Sequence, residues 1–261
     1  IEKVYRGRSH MSEAVLQTVG LHKHFGALRV AHNIHFSLER GARHALIGPN
    51  GAGKTTFINL ITGVLSPTSG RISLEGEDIT DLGQAERSRL GIARTFQINQ
   101  LFRGLTVLEN VSLAIAERMG IAGGMFKPLS AYNHVTDEAI ALLEDFDLGS
   151  EALRRIDELP YGRQRLVEIV IALGQKPSVL LLDEPAAGIP SSESQHILDA
   201  ANALSGDITV LVIEHDMEIV FRIADYITVM VSGEIFTQGT PAEVAADERV
   251  RAVYLGQAHH V

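Results

Sequence analysis

The sequence predicts an α/β fold, a mainly parallel sheet interrupted by an inserted helical subdomain, on three observations. A glycine-rich loop lies between a strand-like and a helix-like run, three further short apolar runs are continuous rather than alternating, and helical periodicity takes over between Gln97 and about Gly174. The loop is the stretch Leu46 to Thr56, LIGPNGAGKTT, in which Gly48 to Thr55 fits G-x-x-x-x-G-K-[ST]. That spacing is the phosphate-binding P-loop, whose backbone N–H groups cradle phosphates while its lysine, here Lys54, reaches the β and γ oxygens. Asn50, Gly51, Ala52, Gly53, Lys54, Thr55 and Thr56 are therefore the expected nucleotide-binding residues, and a triphosphate the expected ligand. Ala45-Leu46-Ile47 precede the loop and Thr56 to Thr62 follow it, closed by Gly63. The loop thus falls on a strand-to-helix turn, where the helix dipole favours anions.

The apolar runs SVLLLDE (178 to 184), ITVLVIEH (208 to 215) and YITVMVSGEI (226 to 235) lack polar alternation. Such runs mark strands buried on both faces, hence a parallel sheet. In the middle of the chain Ala139, Ile140, Leu143 and Phe146 form one helical stripe, and Leu166, Ile169, Val170 and Leu173 another. Between them RMGIAGGMFKPLSAYN (118 to 133) is rich in glycine and breakers and reads as a loop. The expected organisation is one domain over 11–261: a core at about 14–97 and 171–240, a helical subdomain at about 98–170, and a charged, helical C-terminal appendage at 241–261. Residues 1–10, IEKVYRGRSH, lack the apolar centre of a signal peptide and read as a vector-derived leader, with Met11 the expected native start.

Composition narrows the partners. A chain of 261 residues suits one α/β domain with an insert. Hydrophobic residues at 45% and charged residues at 21% are ordinary globular values. No apolar run approaches the ~18 residues of a membrane-spanning helix. The net charge of −9 argues against a sequence-independent grip on nucleic acid, which needs clustered Lys and Arg. The absence of cysteine excludes a disulfide framework and thiol chemistry. His22, His24, His32, His35 and His44 cluster in sequence, but no acid or thiol joins them at ligand spacing, so solvated strand faces are expected rather than zinc.

VLLLDEP (179 to 185) places Asp183 and Glu184 at the end of a buried strand, where open α/β sheets bind ligands. In P-loop ATPases an acid there holds Mg²⁺ with the P-loop hydroxyl, here Asp183 with Thr55. Glu184 then stands where a general base would activate the water attacking the γ-phosphate. Either acid alone would read as a capping or solvated carboxylate; the intact P-loop changes the reading.

Further along come RTFQ with Gln97, LPYGRQR (159 to 165), LLLDEP, PAAGIP and IEHD with His215. These motifs, in this order, resemble those of the ATP-binding subunit of an ABC transporter over residues from about 14 to 256. The resemblance implies a P-loop, RecA-like core with an antiparallel β subdomain and a helical subdomain, and ATP with Mg²⁺ as ligands. It implies that Gln97, in the Q-loop position, touches the metal or its water shell and couples to the membrane subunit, while His215 contacts the γ-phosphate. The implied catalytic set is Glu184, His215 and Lys54, and the implied metal set Thr55, Gln97 and Asp183. Phe25, in HKHFG, matches the family's adenine-stacking aromatic, since stacking needs only a flat π-face; burial in the core is its other reading. Tyr161, Gly162 and Arg163 occupy the signature, which in the family acts on the nucleotide of the opposite subunit.

A narrower likeness is carried by GIARTFQINQLFRGLTVLENV, PAAGIP, IEHDMEIVFRIAD and VRAVYLG, which are similar to ATPase subunits of bacterial branched-chain (hydrophobic) amino acid uptake systems. It implies a second ATPase subunit, membrane permease subunits and, indirectly, a periplasmic binding protein as partners, without nucleic acid, at the cytoplasmic face of the bacterial inner membrane. Relatives of this type also serve urea or aromatic acids, and lipopolysaccharide-export ATPases carry similar motifs. DNA-repair ABC ATPases insert long coiled coils and ribosomal ones carry two cassettes, neither of which fits one cassette with a short insert. A plain P-loop kinase would not need the signature, the D-loop or His215.

Two departures from the family stand out. Pro160 replaces the serine of Leu-Ser-Gly-Gly-Gln and offers neither hydroxyl nor N–H, and Pro190 stands where the D-loop has Asp or Asn. The signature is therefore expected to serve the partner's nucleotide poorly, with Arg163 supplying part of the lost attraction. Leu101 and Phe102, close after Gln97, are the apolar pair expected to meet the permease or else to pack inside the subdomain.

Overall fold

The computed structural model describes residues 14–95, 101–121, 132–189 and 191–255. Residues 1–10 with Met11, Gln97, most of the expected loop at 118–133, and Pro190 lie outside the described residues. Two sheets organise the chain. The smaller is antiparallel, in the order β2-β1-β4-β5, from β1 (Ala14–Phe25), β2 (Leu28–Glu39), β4 (Ser69–Leu74) and β5 (Glu77–Asp78). The larger runs β10-β9-β3-β8-β7-β6, from β3 (Arg43–Ile47), β6 (Ile92–Arg94), β7 (Val179–Asp183), β8 (Thr209–Ile213), β9 (Tyr226–Val231) and β10 (Glu234–Gly239).

Strands β6, β7, β8, β3 and β9 are parallel. Every residue of β7 and β8 is buried, as continuous apolar runs require of central strands covered on both faces. The register pairs Leu46 with Ile213 and Ile213 with Asp183, so the carboxyl ends of β3, β8 and β7 lie side by side at one edge. That edge is where open α/β sheets bind ligands. The run at 226–235 is two strands rather than one. Ser232 and Gly233 take φ of 50° and 83°, and a two-residue loop with both φ positive turns the chain back as an antiparallel hairpin.

Helix α1 (Lys54–Ile61) follows the P-loop, and α2 (Gln84–Arg89) leads to β6. The insert is α3 (Val107–Arg118), α4 (Asn133–Asp145) and α5 (Tyr161–Gly174), packed around Val111, Ile115, Val135, Ala139, Leu143, Val167 and Val170. Thr106 starts α3 with a capping box: its Oγ1 accepts from the Glu109 N–H at 3.2 Å, and Glu109 Oε2 accepts from the Thr106 N–H at 2.7 Å. The α5 stripe of Leu166, Ile169, Val170 and Leu173 is buried as expected. On α4 the stripe is narrower than expected. Ile140 is 37% exposed, because a helix turns about 100° per residue and Ala139 already faces inward. The apolar pair after Gln97 also divides: Leu101 packs against the insert's core, whereas Phe102 is 61% exposed. Helices α6 (Ser191–Ala203), α7 (Met217–Ile223), α8 (Pro241–Ala246) and α9 (Glu248–Leu255) complete the fold. The C-terminal pair is bound to the core, since Val244, Val250 and Tyr254 pack with Ala45 and Ile47 of β3.

One histidine departs from the solvated-face expectation. His44 on β3 is buried, its Nε2 lies 2.7 Å from Thr228 Oγ1, and Phe36 and Tyr226 flank its ring. Burial pushes its pKa down to about 4, against about 6.5 when unfolded. The folded state therefore binds fewer protons, so this contribution is complete above pH ~6.5 and is lost as pH falls from ~6.5 towards ~4, at about 1.4 kcal/mol per unit. Urea unfolding at pH 7.5 and pH 5 is expected to show a drop of about 2 kcal/mol from this group. His44→Phe, with Thr228 still held by Gln238 Nε2 at 2.7 Å, should flatten that drop. An unchanged pH dependence in the variant would refute the assignment.

Candidate nucleotide-binding and hydrolysis site

The P-loop bridges β3 and α1, and its glycines are needed for different reasons. A Cβ on Gly48 would stand 2.2 Å from the Met230 carbonyl oxygen, and one on Gly53, at φ 99°, would stand 2.6 Å from that of Val30. Gly51, at φ 77°, faces open space. Two glycines thus admit close-packed backbone, and the third lets the chain turn left-handed. Gly53 begins α1 without a side-chain cap, so the first-turn N–H groups keep no such partner and suit an anion. Lys54 folds back over the loop, donating from Nζ to the carbonyls of Gly48 (2.5 Å) and Pro49 (3.1 Å). Burial lowers its pKa, and the nearby Glu184 and Asp183 carboxylates act the other way. Thr55 and Asn50 are exposed beside it.

Gly233, in the β9–β10 turn, holds this loop in a way that the sequence did not signal. Its N–H donates to the Ala52 carbonyl at 2.9 Å and its carbonyl accepts from the His32 N–H at 2.8 Å. The P-loop, the parallel sheet and β2 are thereby joined by backbone alone. Phe25 ends β1 with its ring 48% exposed and Lys23 Nζ 5.2 Å from the ring centroid, so it is not a core residue.

The acids lie at the neighbouring strand ends. Asp183 Oδ2 meets Arg94 Nη2 at 2.6 Å, and Arg94 Nη1 donates to Asn59 Oδ1 at 2.7 Å. One guanidinium therefore joins β6, β7 and α1; Arg94 lies within the RTFQ motif, but its partner could not be read there. Glu184 takes φ 46°, uncommon outside glycine, and its N–H donates to the Ile213 carbonyl at 2.9 Å. Its Oε1 lies 3.6 Å from His215 Nδ1, so the chain brings Glu184 and His215 together from β7 and β8. Behind them Glu214 is buried, accepting from the N–H groups of His215 (3.2 Å) and Ala186 (3.5 Å), and burial raises its pKa. Glu214, embedded in IEHD, is a third carboxylate at these strand ends, and sequence reasoning passed over it.

The signature residues open α5. Pro160 is its N-cap and provides no side-chain cap, and Tyr161 is 41% exposed under the Arg165 guanidinium, 5.4 Å from its ring centroid. A Cβ on Gly188, in PAAGIP, would stand 3.7 Å from Tyr161 Cε1, which places the D-loop beside the signature. Gly162 is buried in the first turn of α5. Arg163 differs from expectation. Its Nε and Nη2 both reach Glu151 Oε2 at 2.8 Å, and Nη2 also donates to the Asp147 carbonyl. The guanidinium is spent within the insert, because Glu151 arrives from the segment between α4 and α5.

Asp183 and Thr55 supply oxygen donors, which suit Mg²⁺, an ion commonly held by one or two carboxylates together with substrate phosphates. Among the described residues no group of three His, Cys, Asp or Glu could hold a metal by itself, and no helix is long and apolar enough to cross a membrane.

Residues 31–187 match the ABC transporter family, and residues 234–260 match the family described as branched-chain amino acid ATP-binding cassette transporter. The chain is 37% identical over 255 residues to the high-affinity branched-chain amino acid transport ATP-binding protein LivG of Salmonella typhimurium, covering 95% of this chain and 100% of that protein. It is equally 37% identical over 256 residues to BraF of Pseudomonas aeruginosa, covering 95% and 100%. The crystal structure of the ADP conformation of MJ1267, an ATP-binding cassette of an ABC transporter, is similar with a TM-score of 0.81 at 34% identity, over 94% of this chain and 99% of that one. The two motif-bearing sheets, the convergent P-loop, acids and histidine, and this end-to-end likeness lead to one statement: the chain belongs to the ABC transporter family, among its ATP-binding cassettes.

Proposed function

We propose that this chain is the ATP-hydrolysing motor of a bacterial importer for branched-chain or related hydrophobic amino acids. The observation that carries the cargo class is the match at residues 234–260, outside the shared cassette motifs, to the branched-chain amino acid group. In this reading the chain is one domain over 11–261, working at the cytoplasmic face of the inner membrane with a second ATPase subunit, membrane permeases and, through them, a periplasmic binding protein.

The residues divide the work. The N–H groups of Asn50 to Thr56 and the Lys54 ammonium bind the phosphates, Lys54 leaving the Gly48 and Pro49 carbonyls to do so, and Phe25 stacks on the adenine. Asp183 and Thr55, with Gln97, would hold Mg²⁺, which when bound neutralises phosphate charge. Glu184 takes the proton of the attacking water while His215, 3.6 Å away, orients it and contacts the γ-phosphate. Tyr161 and Gly162 face the partner's nucleotide; Pro160 removes one hydrogen bond there.

The test is co-expression with the permeases and the binding protein, followed by reconstitution. The complex should co-purify and hydrolyse ATP without a phosphate acceptor, and turnover should rise with a binding protein loaded with leucine, isoleucine or valine. Stimulation by urea or an aromatic acid alone would overturn the cargo. Phe102, exposed at the start of the insert, is expected to meet the permease: Phe102→Asp should abolish co-purification while ATP binding and folding persist, and unfolding instead would refute that contact.

A further inference from the structure

The last turn of helix α9 carries, beside the P-loop, a tyrosine whose hydroxyl the proposed reaction does not use. The Tyr254 ring packs in the cluster containing Ala45 and Ile47 of β3, Val220 and Val229. Among the described residues its hydroxyl oxygen is sealed from solvent without a hydrogen bond of ordinary geometry. A phenylalanine would pack equally well without stranding a polar atom, and a buried polar atom without a partner is destabilising. The donor facing that oxygen is the backbone N–H of Gly48, the residue that follows Ile47. Burial pushes the hydroxyl up to about 12, and the Gly48 N–H acts against this. On its other side Gly48 presents its carbonyl to Lys54 Nζ at 2.5 Å. Gly48 is therefore set between a lysine that is needed for phosphate, which holds its carbonyl, and a hydroxyl that lacks a partner, which faces its N–H, the two groups belonging to the successive peptides that meet at its Cα.

We infer that Tyr254 is a positioning residue of the phosphate-binding loop: when Lys54 leaves the Gly48 carbonyl for phosphate, Gly48 is freed to turn about its own Cα bonds, and the N–H of the preceding Ile47–Gly48 peptide settles on the Tyr254 hydroxyl. Docking of α9 and binding of nucleotide then favour each other, and by linkage the coupling is equal in both directions. This gives the C-terminal segment a part in nucleotide binding, and it rests on reading Gly48 to Thr55 as the nucleotide loop.

The experiment uses the full chain and ADP, with Tyr254→Phe, which keeps the ring and deletes the hydroxyl. One neutral hydrogen bond corresponds to about a 3- to 10-fold change in affinity. The variant is expected to bind ADP that much more weakly, with a nucleotide-free melting temperature equal to wild type or higher. ADP should also slow amide exchange in α9 of the wild type and do so less in the variant. Unchanged ADP affinity overturns the inference, as does weaker binding that accompanies a lower nucleotide-free melting temperature, since the hydroxyl would then serve the fold. Lys54→Ala, measured in parallel, separates the two levels. If it binds ADP as wild type does, the loop reading fails and this inference with it; if it does not, the outcome for Tyr254→Phe stands alone.

Discussion

Replacing Glu184 with glutamine is expected to lower steady-state ATP hydrolysis by about 10²- to 10⁴-fold while leaving ATP binding near wild type, the range a positioned general base contributes. The geometry separates the two functions. Glu184 reaches His215 from the end of β7, whereas Gly48 to Thr55, the proposed phosphate cradle, lie on the turn into α1. An amide keeps the size of the side chain but cannot take a proton from water. Lys54→Ala should behave oppositely, because it deletes the charge aimed at the β and γ phosphates, so both binding and turnover fall. Equilibrium ATP binding by fluorescence and steady-state phosphate release measured on the same preparations distinguish them. A Glu184→Gln protein that loses binding as severely as Lys54→Ala, or that retains turnover, would remove Glu184 from the role of base.

Arg94→Ala should be the most destabilising single change near the site. Both members of the Arg94–Asp183 pair are nearly enclosed, with side chains 12% and 10% exposed, and the same guanidinium holds Asn59 on α1. Removing one partner leaves a carboxylate at the sheet edge without its cation, which costs about 3–5 kcal/mol for a buried pair. At roughly 2–4 °C per kcal/mol for a chain of this size, the melting temperature should fall by about 6–20 °C. Arg94→Lys keeps the charge but not the fork that spans Asn59 and Asp183 together, so an intermediate fall is expected. Thermal unfolding of both variants and of Asp183→Asn in a double-mutant cycle gives the coupling; a fall under 2 °C for Arg94→Ala would mean that solvent already compensates Asp183.

What the sequence disclosed and what it withheld divide by range. The P-loop, the continuous runs of β7 and β8, and the α5 stripe are encoded by residues within a dozen positions of one another, so spacing alone exposes them. Asp183 and Glu184 were legible because a buried strand must end somewhere and acids at that end are conspicuous. The partner of Asp183 was not, since Arg94 reaches it only through the pairing of β6 with β7, which no local pattern states. Arg163 looked available although Glu151 lies only twelve residues before it, because the turn between α4 and α5 that swings this carboxylate onto the start of α5 follows no spacing rule. His44 sits in a histidine-rich stretch whose alternation suggested solvent, yet β3 is central in the sheet and both its faces are covered. Ile140 failed through width, a stripe read one residue too wide, and the run at 226–235 through a Ser-Gly turn hidden among apolar neighbours.

The backbone tie of His32, Gly233 and Ala52 bears on when this protein becomes functional during its own synthesis. The ribosome delivers the G-x-x-x-x-G-K-[ST] motif early, but the carbonyl and N–H that brace it belong to a turn near the far end of the chain. Contacts of such sequence separation form late, because the intervening chain must first be closed into a loop. A growing chain thus carries the nucleotide motif through most of translation without the braced shape that grips a phosphate. The braced form of the loop is therefore reached only once β9 and β10 have joined the sheet.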